Sequence, residues 1–193
     1  MTISYKKRTK GTYFPPGDKS ISHRILILTG QAVGESQISN LLEGEDVLNT
    51  LKVMKMLGAN IKKKDGKYTV FGLPPGALFQ PTNPLDFGNS GTGIRLISGL
   101  IASNNIKAKL IGDKSLSARP MRRVTDHLKK IGAIIELRKD SFPPISIQGI
   151  GDAVPFKYNI LIPSAQIKSA IMLSALNTKG LVEIKEYKST RDH

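Results

Sequence analysis

The chain has 193 residues, which is long enough to bury the core of one large domain or of two small ones. Its 29 Lys and Arg residues against 15 Asp and Glu residues leave a net charge of +14, which favours an anionic partner: a phosphorylated small molecule, a nucleic acid or a membrane surface. The absence of Cys excludes a disulfide scaffold and thiol chemistry, the three His residues lack the spacing of metal ligands, and no apolar run approaches the ~20 residues of a membrane span.

The first predicted helix begins at a cluster of polar donors. The stretch PGDKSISHR, residues 16 to 24, precedes an apolar block from Ile25 to Leu28 that ends at Gly30 and Gly34. This order predicts a buried helix whose N-terminus carries the cluster. A short strand is expected next, around Gln37 to Leu41.

An amphipathic helix and a hairpin follow. In GEDVLNTLKVMKMLGA, Asp46 is the expected N-cap and four apolar residues share one helical face: Val47, Leu51, Met54 and Leu57. In NIKKKDGKYTVFG, apolar residues alternate on both sides of Asp65-Gly66, which predicts a β-hairpin with its turn at this pair.

The same order of segments then recurs. FGNSGTGIRLISGLIA, KAKLIG and RPMRRVTDHLKKIGAIIEL repeat the buried helix, the strand and the amphipathic helix, and Gly58-Ala59 aligns with Gly132-Ala133. A third copy opens at IPSAQIKSAIMLSAL, continues through LVEIKEY and stops at STRDH. Repeats of this kind indicate copies of one supersecondary unit around a shared core. We therefore expect an α/β fold of repeated β-α-β-α-β-β units with the third unit incomplete, so that the chain is a fragment.

Each copy places polar residues at the start of its buried helix. The three starts are Lys19-Ser20, Asn89-Ser90-Gly91-Thr92 and Ser164-Ala165-Gln166. Helix N-termini offer unpaired N–H groups and the positive end of the helix dipole, so three that converge make an anion site. The residues expected to add full charges are Lys19, Arg24, Arg95, Arg119 and Arg191.

Simpler interpretations exist for these signals. A Ser or Asn before an apolar run is more often only a helix cap, and GNSGTG does not fit the phosphate-loop pattern G-x-x-x-x-G-K-[ST]. His23 is expected to be a neighbour of the site and not a base, and Asp126 a charge on a helix surface. Arg122 and Arg123 at a helix start are unfavourable unless something anionic is near, which supports the functional interpretation.

Six segments together resemble one known family. PGDKSISHR, SNLLEGEDVLNTL, FGNSGTGIRL, GDKSLSARPMRRV, PSAQIKSA and TRDH, in this order, resemble the N-terminal half of the 5-enolpyruvylshikimate-3-phosphate synthase family from about Pro15 to His193. The resemblance implies an inside-out α/β barrel fold in which two similar domains of three units enclose a cleft. Residues 1–14 are then an N-terminal segment that is loose without the second domain, and residues 15–193 are most of one domain. The C-terminal domain is the implied partner.

The family's activity is implied in the same way. Its members transfer the carboxyvinyl group of phosphoenolpyruvate to the 5-hydroxyl of shikimate 3-phosphate by addition and elimination, in the cytoplasm, without metal or organic cofactor. The fragment is expected to bind shikimate 3-phosphate and to be inactive alone. No nucleic-acid or membrane partner is expected.

Site residues are carried over by motif. The implied phosphoenolpyruvate contacts are Lys19, Asn89, Gly91, Arg119 and Gln166. The implied shikimate 3-phosphate contacts are Lys19, Ser20, Arg24, Ser164, Ala165, Gln166 and Arg191. Lys19 is also the implied catalytic residue, which helps to move a proton at the methylene carbon of phosphoenolpyruvate.

Two positions bear on specificity. Ala165 stands where some members have a second serine, so one hydroxyl group is lost. Binding of the phosphate of shikimate 3-phosphate is then expected to depend more on backbone N–H groups and on Arg191. Because Gly91 is not alanine, sensitivity to glyphosate is expected of the intact enzyme.

Three alternatives stay open from the sequence. The nearest is the related transferase that acts on a UDP-linked amino sugar, although it lacks the combination of PGDKSxSHR with GDxSLxxRPM. A basic nucleic-acid-binding protein would explain the charge, but the aromatic residues show no stacking pattern beside the basic runs. A scaffold domain without activity is the third alternative.

Overall fold

The structure, a computed structural model, describes residues 10–187 and consists of five α-helices and nine β-strands over that range. The helices are α1 Lys19–Gly30, α2 Glu45–Met56, α3 Gly91–Ala102, α4 Arg122–Lys130 and α5 Ala165–Ala175. The strands are β1 Gly34–Ile38, β2 Asn60–Lys64, β3 Lys67–Gly72, β4 Leu85–Asp86, β5 Lys107–Ile111, β6 Ile134–Arg138, β7 Phe142–Gln148, β8 Lys157–Ile160 and β9 Glu183–Glu186.

The strands form three separate sheets. The first has the order β1-β3-β2 and is antiparallel throughout. The second has the order β4-β5-β7-β6, with a parallel pair at β4 and β5, and the third is the parallel pair β8-β9. The mixture of helices and sheets agrees with the predicted α/β class.

Two glycines that align in the sequence repeat adopt the same backbone conformation. After α2, Gly58 adopts φ +106°, and after α4, Gly132 adopts φ +104°. The next residues, Ala59 and Ala133, are both buried in the core. Glycine at these positions allows the left-handed turn that sends the chain from the helix into the first strand of the hairpin.

Helix α2 confirms the predicted apolar face but not the predicted cap. Val47, Leu51 and Met54 are buried as the helical periodicity predicts. The predicted N-cap at Asp46 is wrong: the cap is Gly44, and Asp46 lies in the first turn. Its carboxylate forms an ion pair with Lys19 of α1 instead.

Strand β1 lies earlier than predicted. The expectation was a strand around Gln37 to Leu41, whereas the strand spans Gly34–Ile38. The backbone turns at Asn40, whose φ is +54°, and a left-handed residue cannot continue an extended strand. Leu41 is nevertheless buried, because it packs into the core from the loop before α2.

The first hairpin matches its prediction. Strands β2 and β3 are antiparallel, and Lys64 pairs with Lys67 across the turn. Asp65 and Gly66 have φ values of +49° and +73°. Two successive positive φ values are characteristic of the type I′ turn, which suits the twist of a two-residue hairpin.

Helix α3 lies at the centre of the core. Most of its residues are fully buried, including Ile94, Leu96, Ile97, Leu100 and Ile101. A Cβ built on Gly99 would overlap the backbone carbonyl of Ala170 in α5, so the two helices touch at the backbone.

Of the helices within residues 10–187, none is both long and apolar enough to cross a membrane.

A buried polar pair joins α1 to α2. His23 is fully buried, and its Nδ1 lies 2.8 Å from Oγ1 of Thr50. Burial lowers the pKa of His23 to about 4, with further lowering by Lys19 and Arg24 and partial opposition from Asp46. His23 therefore packs in the core as a neutral ring, as a neighbour of the predicted site.

We expect Gly99→Ala to destabilise the chain by about 2–3 kcal/mol, because the new methyl group meets backbone that cannot move aside. Urea unfolding followed by circular dichroism measures this. Gly151→Ala is the control: its Cβ would make only an ordinary contact with Asn105, so its midpoint should stay close to that of the unmodified chain. Equal midpoints for the two variants would contradict the close backbone contact.

A second expectation concerns pH. Because the folded-state pKa of His23 is about 4 against 6.5 in an exposed side chain, the unfolded chain binds the proton first. The resulting stability is complete above pH 6.5 and falls by up to about 3 kcal/mol as the pH drops towards 4. Urea midpoints measured between pH 4 and 7 should show a smaller pH slope in His23→Gln than in the unmodified chain. The same slope in both proteins would contradict a buried neutral ring.

Candidate active site

Three helices of the core begin with the same kind of N-cap, in which a side-chain oxygen accepts a hydrogen bond from the backbone N–H three residues later. The side chain of Asp18 accepts a hydrogen bond from the backbone N–H of Ile21 at 2.7 Å at the start of α1. Ser90 accepts from Gly93 at 3.0 Å before α3, and Ser164 accepts from Ile167 at 3.4 Å before α5. These are the three starts that the sequence singled out, and each cap satisfies one of the N–H groups that the first turn of a helix leaves without an intrahelical partner.

The start of α1 carries Lys19, Ser20 and Arg24. Lys19 is about half exposed and is held by its ion pair with Asp46. The guanidinium of Arg24 donates to the backbone carbonyl of Ser20 at 3.0 Å and to Oγ of Ser169 in α5 at 2.7 and 3.2 Å. Arg24 thus ties α1 to the second turn of α5.

The start of α3 lies beside Arg119. This exposed arginine donates from Nη2 to Oδ1 of Asn89 at 2.5 Å and to Oγ of Ser115 at 3.4 Å. It follows the short 3-10 helix Leu116–Ala118. The predicted partners Asn89 and Arg119 are therefore in direct contact although 30 residues separate them.

Gly91 makes room for two guanidinium groups. A Cβ at this position would lie 2.9 Å from Nη1 of Arg95 and 3.0 Å from Nη1 of Arg119. Both atoms are the far ends of flexible side chains, so a methyl group here displaces the arginines and leaves the backbone in place. The lack of a side chain at Gly91 is therefore needed to place these two guanidinium groups, whereas the backbone fold does not depend on it.

The start of α5 is joined to that of α3 through Gln166. Its Nε2 donates to Oγ1 of Thr92 at 3.0 Å, and its Oε1 accepts from Nη1 of Arg95 at 3.2 Å. Thr92 and Gln166 are the second residues of their helices. Ser164 and Ala165 precede Gln166 at the same helix start, where Ser164 serves as the cap.

Positive charge is concentrated around α3. Burial lowers the pKa of Arg95, and the charges of Arg119 and Arg123 lower it further. The neighbouring Arg122 forms an ion pair with Asp126 at 3.4 Å, which confirms Asp126 as a charge on a helix surface. A bound anion would relieve the repulsion between the arginines, so the cluster favours a phosphate or carboxylate.

Of the predicted site residues, the structure brings together Arg24 with Ser20, Asn89 with Arg119, and Gln166 with the start of α3. Arg191 lies outside the described residues.

Two contacts within the site were not predicted from the sequence: Ser169 as the partner of Arg24, and Thr92 as the partner of Gln166. Thr92 carried a usable signal, because it lies 74 residues before Gln166, the same offset that aligns Gly58 with Gly132.

Comparison with known proteins matches the whole described chain to one family. The family model described as EPSP synthase (3-phosphoshikimate 1-carboxyvinyltransferase) covers residues 3–193. The 3-phosphoshikimate 1-carboxyvinyltransferase of Ruegeria sp. (strain TM1040) is 48% identical over an alignment 194 residues long, which covers 100% of this chain and 43% of that protein. The Parvibaculum lavamentivorans protein of the same name is 49% identical over 184 residues, with coverage of 95% and 41%.

A solved structure agrees. EPSP synthase from Acinetobacter baumannii superimposes with a TM-score of 0.89 at 38% identity, over 94% of this chain and 41% of that protein. The chain thus spans about two fifths of the length of the relatives that it matches. The family match and the identity over nearly the whole chain lead to one assignment: the chain belongs to the EPSP synthase family.

Proposed function

We propose that this chain forms the shikimate 3-phosphate half of a 3-phosphoshikimate 1-carboxyvinyltransferase. Such an enzyme transfers the enolpyruvyl group of phosphoenolpyruvate to the 5-hydroxyl of shikimate 3-phosphate in aromatic amino acid synthesis. One observation carries the proposal: three capped core helices are joined to one another by Arg24 and Gln166 and flanked by further cationic side chains. Two polyanionic substrates need such a concentration of N–H donors and positive charge.

The acceptor substrate is assigned to the starts of α1 and α5. Ser20 and Arg24 take the shikimate carboxylate side, while Ser164 and Ala165 take the phosphate at the N-terminus of α5. Arg24 already links these two helices through Ser169, so it is oriented before the ligand arrives. Gln166 lies against both substrates, and Arg191 is assigned to the phosphate by its motif.

Phosphoenolpyruvate is assigned to the start of α3. Asn89, Gly91 and Arg119 form one side of its site, and Lys19 approaches it from α1. Lys19 carries the proposed proton transfer at the methylene carbon, which makes the adjacent carbon electrophilic towards the 5-hydroxyl of the acceptor. The 5-hydroxyl loses its proton as its oxygen bonds to that carbon, which gives a tetrahedral adduct. The adduct then loses a proton from its methyl group as its C–O bond to phosphate breaks, which restores the C=C bond of the enolpyruvyl group. Arg119 stabilises the departing charge of phosphate, and the groups that accept the two protons are assigned to the proposed second domain.

We further propose that residues 15–193 are most of one domain and that a second domain completes the cleft. The share of the relatives that this chain spans supports that arrangement. The chain alone then binds substrate without turnover. The complete enzyme is proposed to act in the cytoplasm.

The binding proposal is tested by calorimetric or NMR titration of the chain with shikimate 3-phosphate, compared with shikimate and with inorganic phosphate. We expect selective binding of shikimate 3-phosphate. Arg24→Ala should raise Kd by about 10- to 100-fold, since it removes a charge-assisted hydrogen bond to a carboxylate, and Ser164→Ala should raise it less.

Lys62→Ala is the matched control, because it removes one positive charge from the exposed strand β2 without touching the helix starts. Its Kd should stay within about twofold of that of the unmodified chain, as expected for a screened, distant charge. Equal weakening by Lys62→Ala and Arg24→Ala would show general attraction of anions in place of a specific site. Amide spectra of each variant establish that it is folded.

Gly91→Ala tests the phosphoenolpyruvate side. The measurement uses a complete enzyme made by joining this chain to the C-terminal portion of the Ruegeria relative. Because the methyl group displaces the guanidinium groups of Arg95 and Arg119, inhibition by glyphosate should weaken by at least about tenfold, with a smaller rise in KM for phosphoenolpyruvate. Unchanged inhibition in the active variant would contradict the assignment of Gly91 to this site.

A further inference from the structure

Arg95 donates hydrogen bonds to three separate segments of the protein. Nη1 lies 2.9 Å from the backbone carbonyl of Gly91 at the start of α3 and 3.2 Å from Oε1 of Gln166 in α5. Nη2 lies 3.2 Å from the backbone carbonyl of Pro120, in the segment that leads into α4. These three acceptors are all uncharged oxygen atoms. The hydrogen bonds therefore hold the three segments together without neutralising the positive charge of Arg95.

The contact with Arg95 determines which way the amide of Gln166 faces. A guanidinium has only donors, so the atom of Gln166 that faces it must be the oxygen. The nitrogen then faces Thr92, whose Oγ1 accepts at 3.0 Å. With both ends of the amide engaged, one N–H of Nε2 and one lone pair of Oε1 are left in a fixed direction for another partner.

We propose that Arg95 is a positioning residue of the candidate site: it locks the amide of Gln166 in one orientation and ties the segment of Pro120 to it. The inference rests on the proposed function, since it deepens the part of Gln166 in binding shikimate 3-phosphate. Arg95 acts through Gln166 and does not itself contact that substrate.

The same network positions Arg119. Arg119 directly precedes Pro120, whose carbonyl Arg95 holds, and its side chain is held by Asn89. Two anchors at adjacent residues restrict both the backbone and the guanidinium of this segment. Arg95 thereby couples the start of α5, where the acceptor phosphate is assigned, to the arginine assigned to phosphoenolpyruvate.

The geometry requires arginine at this position. Its planar fork reaches oxygens in three directions from one side chain, whereas a lysine ammonium on a single flexible stem cannot hold the same spread of acceptors. The fork lies against the backbone of Gly91, where a Cβ would come within 2.9 Å of Nη1. The glycine and the arginine thus depend on each other.

The first test needs no ligand. NMR of the folded chain should show an NOE between the side-chain amide of Gln166 and the γ-methyl of Thr92, assigned by its loss in Gln166→Ala. Arg95→Met should abolish this NOE. Arg123→Met is the matched control: it removes a nearby positive charge, and the NOE should remain. An NOE that persists in Arg95→Met overturns the proposal.

A conservative variant covers the case in which Arg95→Met does not fold. Arg95→Lys keeps the positive charge of the cluster and loses the fork, so it should fold and still lose the NOE. An intact NOE in folded Arg95→Lys would show that the charge alone suffices, which also overturns the proposal.

The second test is a double-mutant cycle in the titration with shikimate 3-phosphate. Arg95→Met and Gln166→Ala should each raise Kd by about tenfold, and the double variant should be no more than about twofold weaker than either one. A rise of about 100-fold in the double variant would mean that Arg95 acts on the ligand independently, against a positioning role. If the unmodified chain binds no shikimate 3-phosphate, the proposed function fails, while the NOE experiment still decides whether Arg95 orients Gln166.

Discussion

Helices α3 and α5 pack so closely that a carbonyl of α5 takes the space where a side chain at Gly99 would lie. This contact places the first turns of the two helices within hydrogen-bond distance, as the bond between Gln166 and Thr92 shows. The position of the candidate site therefore follows from the packing of the core. A core contact that sets the distance between two helix starts makes the site as rigid as the fold around it.

The positively charged residues at the site have two different roles. Arg95 and Arg24 are part-buried and donate N–H groups to oxygens of the protein, so they connect neighbouring helices. Arg119 and Lys19 are more exposed: Arg119 is held by Asn89 and Ser115, and Lys19 by Asp46. Lys19 and Arg119 can reach a ligand with little rearrangement. Arg95 maintains the arrangement of the helices, whereas Arg24 both maintains it and, in the proposed function, binds the substrate carboxylate.

The sequence identity assigns the chain to its family, and the structure explains why particular motifs are shared. The identity to 3-phosphoshikimate 1-carboxyvinyltransferases covers nearly the whole chain, but the chain spans only about two fifths of those proteins. The structure contributes a reason for the matched motifs: each of PGDKS, GNSGT and PSAQ contains an N-cap and the first two residues of a helix that packs into the core. These motifs thus combine the local capping that any helix needs with a helix start that, in the proposed function, binds an anion.

Local physical chemistry determined much of this protein directly from its sequence. The 3.6-residue period predicted the buried face of α2, the Asp65-Gly66 pair predicted the hairpin, and the polar residues before apolar runs predicted where α1, α3 and α5 begin. Each of these signals lies within about ten residues and depends on backbone conformation or on the partition of apolar side chains from water. The positions of β1 and of the α2 cap were wrong because the turn at Asn40 and the pairing of Asp46 with Lys19 were not visible locally.

Only the tertiary structure decided how the site is connected. The pairs of Arg24 with Ser169, of Arg95 with Gln166 and of His23 with Thr50 join residues separated by 145, 71 and 27 positions. Each pair exists because two helices are brought together by apolar burial elsewhere along their lengths, and no local pattern records which polar side chains then meet. The sequence by itself thus determined the helix starts and the charges near them, whereas the packing of the core decided which charges face one another and which are left for a ligand.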